Sequence, residues 1–285
     1  MRCLIDGDIL AYELGYGAEF TNEEGEEVIL PPDVVIENVN QRIREIEEEC
    51  WADEPSTIYL TYSTWVGQWL DKRSRRAGLP PPTLSTNFRA IMETTKPYKG
   101  TRKPDKPFHF YNIMAHLLSL NCVVSDGCEA DDEMAIEQTK SEPLTTVICS
   151  RDKDLRMVRG LSFGWQCGKQ PQFGPVEVDE VGGIENVGKK GIKGTGLAFF
   201  YSQLLTGDAV DNIPGLPKCG PVAAMKLLGE LTTKEDMEAA IITAYKEKVG
   251  DGWEEYLLEQ GRLLWMITER DKAGNLVHWE TPDGP

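Results

Sequence analysis

The chain has 285 residues, of which 40% are hydrophobic and 27% charged, and carries a net charge of −17 from 30 basic and 47 acidic residues. That balance excludes a disordered or collagen-like chain and is sufficient for one or two domains with a real core. The acidity would also argue against nucleic acid if the charge were spread evenly, and it is not.

The chain begins Met1-Arg2-Cys3-Leu4-Ile5-Asp6, where a carboxylate arrives before a signal-peptide core can form, and no apolar stretch reaches the ~20 residues of a membrane span. A cytoplasmic protein without membrane contact is expected, in the host cytoplasm if the source is viral. Cys3-Leu4-Ile5 predicts the first strand. Thirteen acids then lie between Glu19 and Glu54 against only Arg42 and Arg44. Within that stretch Pro31-Pro32-Asp33 predicts a helix start, with Ile36, Val39, Ile43, Ile46 and Cys50 on one face and the acids on a solvated face. Thr57-Ile58-Tyr59-Leu60 predicts the second strand.

From residue 65 to 107 the spacing predicts an insertion broken by Pro80-Pro81-Pro82, too long for an ordinary connection in an α/β domain. Its charge is inverted. Ten cations (Lys72, Arg73, Arg75, Arg76, Arg89, Lys96, Lys99, Arg102, Lys103 and Lys106) face Glu93 and Asp105 between positions 72 and 106, enough to hold a polyanion. Inside it, Pro97-Tyr98-Lys99-Gly100-Thr101-Arg102-Lys103-Pro104 combines cations for phosphate oxygens with a ring that can stack on an unpaired base. The plain alternative is a basic loop.

Cys122-Val123-Val124, Thr146-Val147-Ile148-Cys149 and the weaker Leu161-Ser162-Phe163 predict further strands. Strands alternating with helices imply a mostly parallel, twisted sheet flanked by helices. After Gly164 the texture turns Gly- and Pro-rich, with a hairpin expected around 173–178, and from Leu197 the pattern is helical. The expected division is an α/β core over 1–165 and a helical C-terminal region over 166–285. The seven cysteines are scattered, include no C-x-x-C pair and are joined by only three histidines, so reduced, mostly buried thiols are expected.

The acids concentrate where strands end, and in an open α/β sheet ligands bind beyond the carboxyl ends of the strands. Asp6 and Asp8 follow the first strand, Asp152 and Asp154 the fourth. Glu129, Asp131 and Asp132 open the helix after the third; taken alone they would be a helix cap. Asp208 and Asp211 stand three apart in Thr206-Gly207-Asp208-Ala209-Val210-Asp211. Such a density of carboxylates is costly unless cations neutralise it. Oxygen donors without histidine select Mg²⁺ or Mn²⁺ over zinc, and a pair of ions about 3.5–4 Å apart would suit phosphodiester hydrolysis. Downstream, Gly215, Lys218 and Gly220 precede an apolar helix, as in a hairpin that offers backbone N–H groups to phosphate or, equally, in an ordinary packing corner.

In their order, Ile5-Asp6-Gly7-Asp8, Tyr98-Lys99-Gly100-Thr101-Arg102, Glu129-Ala130-Asp131-Asp132, Ser150-Arg151-Asp152-Lys153-Asp154 and Gly207-Asp208-Ala209-Val210-Asp211-Asn212-Ile213-Pro214-Gly215 resemble the flap endonuclease, or 5′-nuclease, family, most closely its bacteriophage 5′-3′ exonuclease and ribonuclease H-like members. The resemblance implies a nuclease core of the PIN/5′-nuclease type, a helical arch over 65–107 and a helix-hairpin-helix over about 207–229. It implies two metal ions, the first held by Asp6, Glu129, Asp131 and Asp132 and the second by Asp152, Asp154, Asp208 and Asp211. Lys99 and Arg102 would steady the scissile phosphate, and Tyr98 and Lys103 would touch the DNA. Gly215, Lys218 and Gly220 would hold the duplex, where relatives also bind K⁺. The implied substrate is DNA with a free 5′ end, whether duplex, nicked or flapped, extending to RNA–DNA hybrids. A monomer working beside replication proteins is the implied setting.

The sequence departs from that pattern at one place. The family carries an aspartate shortly after the second strand, where this chain has Ser63 and Thr64, and Asp8 is the residue that would compensate. Two rivals follow from the same residues: a phosphatase of the haloacid dehalogenase type with Asp6 as nucleophile, and a branched-DNA-binding protein whose nuclease site has decayed.

Overall fold

The computed structural model describes residues 1–92, 94–102, 105–188 and 191–282. These fall into two compact units. The first comprises 1–88, 104–152 and 161–176; the second comprises 89–103, 153–160 and 177–285.

The first unit is built on a sheet of order β5-β4-β1-β6-β7-β8. Its strands are β1 (Arg2–Asp6), β4 (Thr57–Leu60), β5 (Cys122–Val124), β6 (Thr146–Cys149), β7 (Gly160–Gly164) and β8 (Phe173–Val178). The pairings β4–β5, β1–β4, β1–β6 and β6–β7 are all parallel. β4 and β6 are buried at every position, the continuous apolar run of a parallel strand covered on both faces. Helices α1 (Gly7–Gly17), α2 (Pro32–Glu49), α3 (Thr64–Arg76), α4 (Phe110–Leu117) and α5 (Ala130–Lys140) belong to this unit. Helix α2 packs through Val35, Val39 and Ile46, with Ile43 against the same core. Helix α1 starts one residue after β1, which only glycine permits: a Cβ on Gly7 would lie 2.7 Å from both Ile58 and Leu60 of β4 and 2.9 Å from the Tyr59 carbonyl.

Sequence spacing alone overlooked α1 and the small hairpin of β2 (Glu19–Thr21) and β3 (Glu27–Ile29). Two expectations need correction. The hairpin foreseen at 173–178 is a single strand, β8; the hairpin lies further on, between β9 (Gly183–Asn186) and β10 (Ile192–Thr195). The insertion is helical only at its start. Helix α3 ends at Arg76, and the described residues from there to 106 hold one 3-10 turn, Phe88–Ala90, but no α-helix. Pro80, Pro81, Pro82 and Pro97 supply no N–H and restrain the residue before them, which blocks helix propagation.

In the second unit, α6 (Gly196–Thr206) is buried along almost its whole length and packs against α7 (Pro221–Leu228), α8 (Lys234–Val249) and α9 (Trp253–Leu264). The 3-10 turn Asp154–Met157 also lies against α6. The later part of the insertion is tied to α9. Arg89 is buried and donates from Nε to the Leu263 carbonyl (3.0 Å) and from its guanidinium to the Trp265 carbonyl, while the Thr95 N–H and hydroxyl donate to Glu259 at 2.7 and 2.9 Å.

Candidate metal and phosphate site

In the first unit the acids sit at the carboxyl ends of adjacent strands. Asp6 closes β1 and caps α1, accepting the Ile9 N–H (3.0 Å) through one oxygen and the Ser150 hydroxyl (2.7 Å) through the other. It is 2% exposed. Ser150, just past β6, also accepts the Asp152 N–H at 2.9 Å, so one hydroxyl organises both strand ends. Burial foremost, then the neighbouring charges of Asp8 and Asp152, outweigh those hydrogen bonds and raise the Asp6 pKa to about 7. A buried carboxyl held so far above its ordinary value asks for either a proton or a cation.

Asp8 reaches across to the end of β4, where its carboxylate accepts the Thr61 N–H at 3.0 Å. The Thr61 hydroxyl in turn accepts the Ala130 N–H (2.9 Å), which brings the start of α5 to the same strand end. There Glu129 and Asp132 form a reciprocal capping box, with Asp132 accepting the Glu129 N–H at 3.0 Å. Asp132 is fully buried, and capping accounts for its position. Asp131 is half-buried in the first turn of α5. Ser63 caps α3 by accepting the Val66 N–H at 3.3 Å.

In the second unit the acids are charge-paired. Lys153 bonds Asp154 at 2.8 Å and also Asp208. Burial opposes the charge on each partner, but Asp154 and Asp208 together raise the Lys153 pKa, and the Lys153 ammonium lowers that of Asp208. Gln203 of α6 adds a hydrogen bond to Asp154 at 2.6 Å. The loop carrying Asp208 is pinched by reciprocal backbone bonds with Ile213, at 2.9 and 2.8 Å. Asp211 is clasped by the insertion: the Tyr98 hydroxyl donates to it at 3.1 Å, Arg102 pairs with it, and the Lys99 ammonium stands 3.9 Å away. The backbone seals this clasp through Lys99 N–H to the Asp211 carbonyl (2.9 Å) and the Asn212 side chain to the Pro97 carbonyl (2.9 Å).

Gly215 is tied into the packing of the second unit. Its N–H donates to the Gln260 side chain at 3.0 Å, so that amide is engaged within the protein. Its positive φ of 65° and a would-be Cβ 2.2 Å from the Gly207 nitrogen make it a packing corner. Lys218 and Gly220 are exposed, the latter as the N-cap of α7. Lys103 lies outside the described residues.

Sequence reasoning missed three participants. Lys153 was visible within its motif but was not weighed as a counter-ion to Asp154 and Asp208; Ser150 stood at the head of the same motif but was given no role; Gln203 carries no local signal. It also took the cysteines as scattered, whereas Cys3, Cys50 and Cys149 bring three sulfur atoms within 4.8 Å of one another and form a site capable of coordinating a metal. The oxygen donors around Asp6 fit a hard divalent cation, because burial and the like charges of Asp8 and Asp152 work against the ionised Asp6 carboxyl. Among the described residues no helix is long and apolar enough to cross a membrane.

No family model matches the chain. Over 173 residues, 56% of the chain, it is 30% identical to a DNA polymerase I of Rhizobium leguminosarum, 16% of which is covered. Over 122 residues, 40% of the chain, it is 31% identical to a 5′-3′ exonuclease of Mycobacterium tuberculosis, with 36% of that protein covered. The chain thus spans well under half the length of these curated relatives. Among solved structures, a bacteriophage T5 flap endonuclease in complex with DNA and metal ions aligns over 93% of both chains at 11% identity and a TM-score of 0.43. The T5 5′-exonuclease with bound zinc aligns over 93% of this chain and 94% of that one, at 12% identity and a TM-score of 0.44. The catalytic core of Rad2 in complex with DNA substrate covers 91% of this chain and 72% of its own, at 13% identity and a TM-score of 0.38.

Proposed function

We propose that this chain is a divalent-cation-dependent nuclease that hydrolyses phosphodiesters in DNA bearing a 5′ end, as a 5′-3′ exonuclease or flap endonuclease, with the RNA strand of hybrids as a further substrate. The observation that carries the reading is the Asp6–Asp8–Asp152 group at the ends of β1 and β6, where burial first, and then its acidic neighbours, raise the pKa of the Asp6 carboxyl to about 7. The partial sequence similarity to a 5′-3′ exonuclease supports it.

In this reading Asp6, Asp8 and Asp152, with Glu129, Asp131 and Asp132, hold Mg²⁺ or Mn²⁺. Asp8, bonded to the end of β4, stands in for the aspartate that Ser63 and Thr64 replace. The ion would neutralise the scissile phosphate and lower the pKa of an attacking water. Ser150 fixes the Asp6 carboxylate by donating to one oxygen, leaving its remaining lone pairs for the cation. A second ion at Asp154, Asp208 and Asp211 requires Lys153 to give way. Lys99 and Arg102 exchange Asp211 for phosphate oxygens, Tyr98 offers its ring to a base, and Lys218 with the α7 N-terminus contacts the duplex backbone, with K⁺ as an accessory ion at that turn. DNA of any of the three forms (duplex, nicked or 5′-flapped) is the proposed partner, and the chain is proposed to act as a monomer alongside replication proteins in the cytoplasm.

Burial of Asp6 works against the phosphatase alternative, since a nucleophile must meet its substrate. The test is cleavage of internally labelled blunt, nicked, 5′-flapped and hybrid duplexes in Mg²⁺ or EDTA, resolved on a denaturing gel. Mg²⁺-dependent products that require a 5′ end, lost at least 100-fold in a Asp8→Asn/Asp152→Asn variant of unchanged circular dichroism, are expected. Binding to branched DNA without product in Mg²⁺ or Mn²⁺ would favour the decayed binder, and hydrolysis of a generic phosphomonoester without DNA cleavage would favour the phosphatase.

A further inference from the structure

Three cysteines far apart in the chain meet inside the first unit. Cys3 on β1 and Cys149 on β6 share a face of the sheet, because Cys3 is in register with Val147 and side chains two residues apart point the same way. Cys50 is the residue that ends α2, whose apolar face covers that side of the sheet. The three are 0%, 2% and 0% exposed. The Cys50 and Cys149 sulfurs are 3.8 Å apart, and all three lie within 4.8 Å of one another.

The 3.8 Å separation of Cys50 and Cys149 matches a metal site's edge, and the other two separations stay within 4.8 Å. For metal–sulfur bonds of about 2.3 Å, the sulfur–sulfur edge is about 3.8 Å in tetrahedral and about 4.0 Å in trigonal coordination.

From this geometry we propose that Cys3, Cys50 and Cys149 form a closed three-sulfur site for a soft monovalent cation, Cu⁺, separate in chemistry from the carboxylate group. Structural zinc takes four ligands, and among the described residues no histidine, cysteine or carboxylate joins the three sulfurs as a fourth. Thiolates select soft cations, and Cu⁺ is satisfied by three sulfur ligands. Binding releases one proton to solvent for each thiolate formed. The bound ion would join β1, β6 and the end of α2, the elements that also set the height of Asp6 at the tip of β1.

The test uses the full chain, reduced and metal-free under anaerobic conditions, titrated with Cu⁺ against a chromophoric Cu⁺ chelator. The expected result is one Cu⁺ retained per chain in native mass spectrometry, with three sulfur scatterers in X-ray absorption and no displacement by excess Zn²⁺. Cys50→Ala should weaken retention at least 100-fold, whereas Cys122→Ala and Cys219→Ala should leave it unchanged. Because a core substitution can unfold the protein, the sulfur count on the unsubstituted chain stands as an independent readout. Failure to retain copper, a sulfur count other than three, preference for Zn²⁺, or retention that survives Cys3→Ala/Cys50→Ala/Cys149→Ala would each overturn the site. DNA cleavage is not read in this experiment, so the outcome does not depend on the nuclease proposal.

Discussion

Asp6 is the residue at which function and stability oppose each other. Its raised pKa means that the fold favours the neutral carboxyl, so its contribution to stability is complete below the ordinary carboxylate value of about 4 and is lost as pH rises through about 7. A divalent cation competes for the same oxygens as that proton. The Mg²⁺-induced rise in Tm is therefore expected to be small at pH 5.5, to grow through pH 7 and to level off above pH 8, as thermal melts at several pH values would show. Asp6→Asn keeps one carbonyl oxygen to accept the Ile9 N–H, places an NH2 donor against the Ser150 hydroxyl oxygen, and removes the charge; at pH 8 the metal-free variant is expected to melt no lower than the parent and to lose the Mg²⁺ response. A variant that melts lower but still responds to Mg²⁺ would remove Asp6 from the cation site. Lys153 poses the converse case. Replacing it with Met leaves Asp208, whose side chain is 5% exposed, without its counter-ion. A loss of about 1–3 kcal/mol is expected in urea unfolding without divalent ions, kept below the value for a fully buried pair because Lys153 is itself half-exposed. Recovery of part of that loss on adding Mg²⁺ would mark the vacated carboxylates as a cation site.

At the scale of elements, the corner between α6 and α7 depends on two glycines stacked against each other. A Cβ at Gly215 would fall 2.2 Å from the Gly207 nitrogen and would also have to accept a φ of 65°, so Gly215→Ala is expected to cost at least about 1–3 kcal/mol in denaturant unfolding. A near-neutral effect would mean that this turn is freer than its packing indicates. The sequence left that corner open between a hairpin and a packing corner, because Gln260, which takes the Gly215 N–H, lies 45 residues downstream. The same contrast runs through the fold. Strands β1, β4, β5 and β6 were legible because a parallel sheet demands unbroken apolar runs, and α2 because its apolar face repeats at helical spacing. Helix α1 was not, since Gly7 at its first position reads as a turn until the approach of β4 explains it. The acids at the strand ends were visible one by one. What could not be read was their partners, because Ser150 reaching Asp6 and Asp211 meeting Arg102 are contacts across more than a hundred residues.

Charge governs the whole molecule's encounter with a polyanion. With 30 basic and 47 acidic residues, the chain repels DNA on average, and attraction has to come from a few placed cations. The proposed contacts are Lys99, Arg102 and Lys218, and two of these are engaged with Asp211 in the free protein. Each phosphate neutralised contributes about −0.9 to the slope of log affinity against log salt, so three contacts give about −2.7, or roughly 40-fold weaker binding between 50 and 200 mM salt. The measurement is fluorescence anisotropy with a 5′-flapped duplex in Ca²⁺, which occupies hard oxygen sites without supporting turnover in most Mg²⁺ nucleases. Lys99→Ala/Arg102→Ala is expected to flatten the slope by about two contacts, and EDTA to weaken binding further by restoring the like-charge repulsion around Asp6. Asp211→Asn should act in the opposite direction, releasing both cations and tightening DNA binding at low salt. If Asp211→Asn instead weakens binding to the same extent as the double cation variant, the clasp between the insertion and Asp211 is part of the binding surface rather than a restraint upon it.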